Sequence, residues 1–171
     1  MITTLTLPLF PLEFSYIEND DRWSPFVKEL EPFLNELSKV THQKFHFGHH
    51  LPFDINIVMS CDNEVEELNS AYRGKNSPTN VLSFTNIDQN QIMEGEDYHD
   101  LTLGDVILAF ETIQKESEDQ EKAFLNHTKH LMIHGVLHVL GHDHILPDEA
   151  EIMESLEIQI LEHFKINNPY E

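Results

Sequence analysis

Hydrophobic and polar residues follow two periods along this chain, and the switches between them divide it into elements. Residues 1–20 alternate loosely through Leu5, Leu7, Leu9, Leu12, Phe14 and Tyr16, interrupted by Pro8 and Pro11. That pattern predicts a strand over 11–17, at a sheet edge because proline cannot donate to a ladder. Ser24-Pro25 opens a helix with Phe26, Leu30, Phe33, Leu34 and Leu37 at helical spacing. Asp54–Ser60 reads as a strand. Asp62 is placed to cap the next helix, whose stripe is Val65, Leu68 and Tyr72 and whose end is Gly74. A turn over 76–80 leads into a short strand, Val81–Phe84, and the polar, acidic stretch 86–100 reads as a loop. Leu101–Phe110 is an apolar central strand with Gly104-Asp105 as its irregularity, a sign of a bulge or a close backbone approach. From Glu111 the period is helical, with a break expected in the charged stretch Lys115–Glu121. Pro147-Asp148 starts a last helix with Ile152, Met153, Leu156, Ile160, Leu161 and Phe164 facing inward. The expected fold is α+β (mixed α/β): a single compact domain over 1–171, with an about four-stranded mixed sheet and four to five helices.

Between the last two helical patterns lies H-T-K-H-L-M-I-H-G-V-L-H-V-L-G-H-D-H, residues 127–144. Its apolar residues predict a buried helix. On that helix His134 and His138 fall within about 40° of each other. Gly141 can take the left-handed conformation that ends a helix, letting His144 swing back toward the pair. Three imidazoles with a fourth position open are the ligand set of a catalytic zinc. His127, His130, His134 and His138 share about 80° of circumference. A stripe of hydrogen-bonded rings accounts for any one of them, but not for the pair, the glycine and His144 together. The spacing matches H-E-x-x-H-x-x-G-x-x-H of zinc peptidases except that Gly135 stands where their general-base Glu belongs, which disfavours that mechanism.

Composition narrows the reading. Of 171 residues, 40% are hydrophobic, enough for one domain with a sizeable core. The balance of 31 acidic against 10 basic residues, net charge -21, excludes broad non-specific affinity for nucleic acid. Cys61 is the only cysteine, no Lys or Arg precedes Arg22, and no apolar run approaches the ~20 residues of a spanning helix. A cytoplasmic protein without membrane contact is expected. His42, His46, His49 and His50 cluster between a helix and a strand, where solvated loop histidines fit better than a second metal site. Arg73, in Tyr72-Arg73-Gly74-Lys75, offers a donor fork suited to phosphate, with Lys75 as a second charge. A surface arginine complementing a helix C-terminus fits the same spacing.

The run L-N-S-A-Y-R-G-K-N-S-P-T-N-V-L-S-F (68–84), then L-G-D-V-I-L (103–108), then H-G-V-L-H-V-L-G-H-D-H (134–144), resembles the YbeY family of metal-dependent endoribonucleases. The acidic helix Asp148-Glu149-Ala150-Glu151 follows in the same order, and the resemblance covers residues 54–165. It implies that His134, His138 and His144 hold one divalent metal, taken as zinc, that Arg73 contacts the scissile phosphate, and that Lys75 lines the same cleft. Thr85 stands where the family commonly has Pro, and His142 where it often has an aromatic residue. His142 is a second imidazole within reach of the third ligand position. Asp143 suits a carboxylate orienting a ligand histidine better than a general base, and His130 a structural or supporting role one turn before His134.

The function implied by this resemblance is single-strand-specific endoribonuclease activity in ribosomal RNA maturation, at the 16S rRNA 3′ end, and in ribosome quality control. The implied partners are ribosomal RNA or the small subunit and ribosome-associated proteins. Net charge requires the positive potential to be local: the metal, Arg73, Lys75 and Lys129. Two other readings fit the same ligands, a zinc-dependent hydrolase of a small substrate and a non-catalytic ribosome assembly factor with a structural metal. An open coordination position separates catalysis from a structural role.

Overall fold

The computed structural model describes residues 2–5, 12–44, 53–86 and 101–171. Five strands, β1 (Ile2–Leu5), β2 (Leu12–Glu18), β3 (Phe53–Ser60), β4 (Val81–Thr85) and β5 (Leu101–Ala109), form one sheet in the order β1-β2-β3-β5-β4. The inner three run parallel, and β1 and β4 join the two edges antiparallel. The helices are α1 (Val27–Lys44), α2 (Asp62–Arg73), α3 (Phe110–Asp119), α4 (Phe124–Val139) and α5 (Pro147–His163), with a 3-10 turn, Asp21–Phe26, before α1. The α+β class and the mixed sheet are as expected, and β1 adds a fifth strand. The expectation that β2 is an edge strand is corrected. It begins at Leu12, past Pro11, so all its ladder donors are intact and it pairs on both sides.

Strand periodicity sorts the residues into layers. Ile55, Ile57 and Met59 of β3 and Phe14 and Tyr16 of β2 face one side, in one core with α1, α4 and α5. On the opposite side Leu82, Ile107 and Ala109 pack with Val65, the buried apolar position of α2. Leu131, Met132 and Ile133 are consecutive and all buried, which makes α4 the central helix. The buried Trp23 donates from Nε1 to the Ser60 carbonyl at 2.8 Å and meets Phe110 edge-on at 5.0 Å. It thereby pins the turn before α1 to the end of β3 and the start of α3.

Asp62 does not cap its own helix; Cys61 occupies that position with no side-chain bond. Instead α2 and α3 cap each other. Asp62 Oδ1 accepts from the Thr112 N–H at 3.0 Å, and Glu111 Oε2 accepts from the Asp62 N–H at 2.7 Å. Each carboxylate meets the positive end of the other helix. Tyr72 and Ile152, expected inside, are 71% and 56% exposed. The break expected within Lys115–Glu121 falls at its end, where α3 stops at Asp119 and the chain turns through Gln120 and Glu121, the latter at φ 53. His42 lies in the last turn of α1, while His46, His49, His50 and the loop residues 87–100 lie outside the described residues.

Gly104 marks a close backbone approach in the sheet. Asp54 pairs with Thr102 and Ile55 with Gly104, so Leu103 is the extra residue of a bulge. A Cβ on Gly104 would stand 2.1 Å from the Phe84 carbonyl oxygen and 2.9 Å from Val139 Cγ1. Because the first obstacle is backbone, Gly104→Ala is expected to cost about 2–3 kcal/mol, read as a lower urea midpoint at unchanged slope.

Candidate metal centre and its cleft

The end of α4 brings the histidines together. Gly141 adopts φ 101, open to glycine but not to ordinary residues. Its N–H donates to the His138 carbonyl and the His142 N–H to the Leu137 carbonyl, both at 3.0 Å, the paired bonds of a Schellman stop. The turn carries His144 back over the helix, its ring 4.9 Å from that of His138 and 5.4 Å from that of His134. One ring nitrogen from each of His134, His138 and His144 lies within 4.8 Å of the other two. Among the described residues no other His, Cys, Asp or Glu joins this group. His142 stays out of it, and its carbonyl accepts from His138 Nδ1 at 3.0 Å.

The hydrogen bonds around the rings decide what the site can hold. Glu157 of α5, with no exposed surface, accepts from His134 Nδ1, from His130 Nε2 at 3.1 Å and from the Tyr170 hydroxyl. Burial pushes its carboxyl up, but these three donors outweigh burial and hold it at about 2. An ionised carboxylate only accepts, so His134 carries its proton on Nδ1 and leaves Nε2 bare. His138 likewise donates from Nδ1. The two bare Nε2 atoms face each other at 3.0 Å. Two lone pairs so placed repel unless a cation lies between them. Nitrogens bound to one tetrahedral zinc at about 2.0–2.1 Å stand roughly 3.3 Å apart, so the donor set fits a metal. Burial, then the neighbouring rings of His134 and His144, push His138 down to about 4, which keeps this ring neutral at pH 7.

A cleft of about 600 Å³ opens beside the triad. Its second wall is the edge strand β4, whose alternate residues Val81, Ser83 and Thr85 face it. Arg73 reaches the cleft from the far side of the sheet, around that edge. Its Nη2 donates to the Ser83 carbonyl at 3.0 Å and its guanidinium lies 5.9 Å from the Phe84 ring centre. Lys75 instead lines a neighbouring hollow of about 220 Å³ that shares Arg73, Thr79 and Val81 with the cleft. Lys129 lies over the Phe33 ring at 5.5 Å and is not a wall of the cleft. Asp143 lines it, but its Oδ1 takes the His144 backbone N–H at 2.7 Å and stands 3.9 Å from His144 Nδ1. His130 points to Glu157 and lines a different hollow. The carboxylate that orients a triad ring is therefore Glu157, which the motif reading missed. Its signal was a charge on an apolar stripe, with Met153, Ile160 and Leu161 as its buried neighbours.

Gly135 faces away from the metal side. A Cβ there would stand 2.6 Å from Val106 Cγ1, so this position belongs to the contact between helix and sheet. No side chain of the peptidase type fits.

A sequence model described as Endoribonuclease YbeY matches residues 16–165. The chain belongs to the YbeY endoribonuclease family. An Endoribonuclease YbeY from Paramagnetospirillum magneticum is 46% identical over 119 residues, 68% of this chain and 71% of its own. Another from Francisella tularensis subsp. holarctica is 33% identical over 159 residues, 93% of each chain. The solution structure of a Thermotoga maritima protein shares the fold, with TM-score 0.55 and 19% identity over 88% of this chain and 91% of that one. The YbeY match spans Arg73, the three histidines and Glu157, and stops before Tyr170.

The ring states set a pH dependence. His138 titrates near 6.5 when unfolded and near 4 when folded. Between those values the unfolded chain binds the extra proton, so the metal-free protein loses stability as pH falls through that window. Buried His127 and half-buried His142 shift the same way. Glu157, lowered from 4.5 to about 2, adds a further loss below pH 4.5. Urea midpoints of the metal-free protein are expected to drop from pH 6.5 to 4, and less steeply in His138→Gln. An unchanged slope in that variant would contradict the assignment.

Proposed function

We propose that this chain is a single metal-dependent endoribonuclease domain, with His134, His138 and His144 holding one zinc ion and Arg73 engaging the scissile phosphate of single-stranded RNA. The observation that carries this reading is that one cleft is lined both by the triad and by the guanidinium of Arg73. Family membership supplies the reaction class: hydrolysis of a phosphodiester in RNA. Water adds to phosphorus, the bond to the leaving ribose oxygen breaks, and that oxygen takes up a proton. When bound, zinc supplies Lewis-acid activation of water or of a phosphoryl oxygen. Arg73 presents its fork to the non-bridging oxygens, where charge grows in the transition state. Its anchor on Ser83 holds the fork in place before substrate arrives. Lys75, in the adjoining hollow, lies along a path for a neighbouring phosphate.

A structural metal would need a fourth protein ligand, and among the described residues none joins the three imidazoles. This favours catalysis over an assembly factor with a structural ion. The substrate we assign is the 3′ end of precursor small-subunit ribosomal RNA, in the cytoplasm, with a further role in ribosome quality control. No described helix is long and apolar enough to cross a membrane. With net charge -21, RNA is held by local positive charge at the cleft, so ribosomal subunits or associated proteins must deliver it.

His138→Ala is expected to lose both zinc and cleavage of a precursor small-subunit rRNA 3′ end. Arg73→Ala is expected to retain zinc and cleave about 10²–10³-fold more slowly. Wild-type cleavage by both variants would overturn the assignment. Binding to naked, unstructured RNA at physiological salt should be weak. Tight binding there would contradict delivery by a partner.

A further inference from the structure

Residues 164–171 follow α5 and return toward α4. The return starts with a Schellman stop: Lys165 N–H donates to the Glu162 carbonyl and Ile166 N–H to the Leu161 carbonyl, both at 3.0 Å. Lys165 holds φ 58, the left-handed region that favours glycine. Ile166 packs against the main core and fixes the direction of exit. Further on, the Tyr170 N–H donates to Asn168 Oδ1 at 2.8 Å, a local turn that presents the tyrosine ring. The ring meets His130 edge-on, centres 5.9 Å apart and planes at 88°. Its hydroxyl reaches the buried Glu157.

The bonds at Glu157 are divided between its two oxygens. His130 and Tyr170 both donate to Oε2, and His134 alone donates to Oε1. Two donors on one oxygen fix the rotation of the carboxylate and leave the other oxygen aimed at His134 Nδ1. We propose that Tyr170 is a positioning residue for the metal centre: its hydroxyl, bound to Glu157 Oε2, holds the carboxylate that orients His134 toward the metal. This inference rests on the metal-centre reading above. It adds a residue beyond residues 16–165, the stretch that the family model matches.

Tyr170→Phe keeps the ring and removes the donor. In the full chain, zinc affinity measured by chelator competition is expected to fall about three- to tenfold, less than the 10–100-fold typical of a group bonded directly to a ligand. The visible absorption of the cobalt(II)-loaded protein should shift with it. Melting of the metal-free variant should move by no more than about 2–4 °C, the effect of one hydrogen bond. Glu157→Gln is expected to lose more affinity than Tyr170→Phe, and adding Tyr170→Phe to it should cause no further loss, because the tyrosine acts through the carboxylate. Wild-type zinc affinity and an unshifted cobalt spectrum in Tyr170→Phe would overturn the inference. So would an equal loss from Tyr170→Phe with and without Glu157→Gln. The two readings separate at His134→Ala: if that variant binds zinc like the wild type, the metal centre itself falls. If it loses zinc while Tyr170→Phe does not, only the role of Tyr170 falls.

Discussion

An ionised carboxylate with no exposed surface is costly to keep inside a protein, and Glu157 is kept there because three donors converge on it, two from α4 and one from the returning segment. The arrangement binds α5 to α4 through charge-assisted hydrogen bonds rather than through packing alone. It also fixes the proton of His134 on Nδ1. Everything the cleft can do with a metal follows from that tautomer, because the inward nitrogen is left as a lone pair. His138 reaches the same state by donating to a backbone carbonyl that exists where it does because Gly141 turns the chain. One ring is oriented by charge and the other by the geometry of a helix stop.

The second wall of the cleft depends on a different constraint, the edge of a sheet. An edge strand leaves one row of carbonyls unpaired, and Arg73 takes one of them, that of Ser83. The same strand sends Ser83 Oγ across to the Gly135 carbonyl at 3.2 Å, tying β4 to α4. The cation is thus anchored to a strand that is itself anchored to the metal helix. In a chain with net charge -21 this matters, since long-range attraction for RNA is absent and recognition has to come from a few charges held in place.

Periodic features were legible in the sequence, and contacts between distant elements were not. The i, i+4 pair His134 and His138 and the stop at Gly141 follow from helix geometry, so spacing alone places two rings on one face. Glu157 reaches His134 across 23 residues, and nothing local fixes that distance. Only its place among Met153, Ile160 and Leu161 hinted at a buried charge with a partner. Asp62 misled for a related reason: its local spacing suits a cap, but the neighbouring helix α3 competes for the same carboxylate. The prolines before β2 suggested an edge, whereas β1 pairs with the strand once they are past.

Gly135 shows how packing and chemistry limit each other in this helix. A metallopeptidase needs a carboxylate beside its first ligand histidine, on a face with room for it. Here that position is pressed against Val106 with space for a hydrogen and no more. The helix lies so close to the sheet there that Ser83 reaches its backbone. The closeness that brings β4, and Arg73 with it, beside the three imidazoles also removes the room for a base at that position. A phosphodiester has use for such a trade, since its transition state gathers charge on oxygens that a fixed guanidinium can meet. The substitution of glycine for glutamate and the presence of arginine across the cleft are therefore two consequences of one short helix-to-sheet distance.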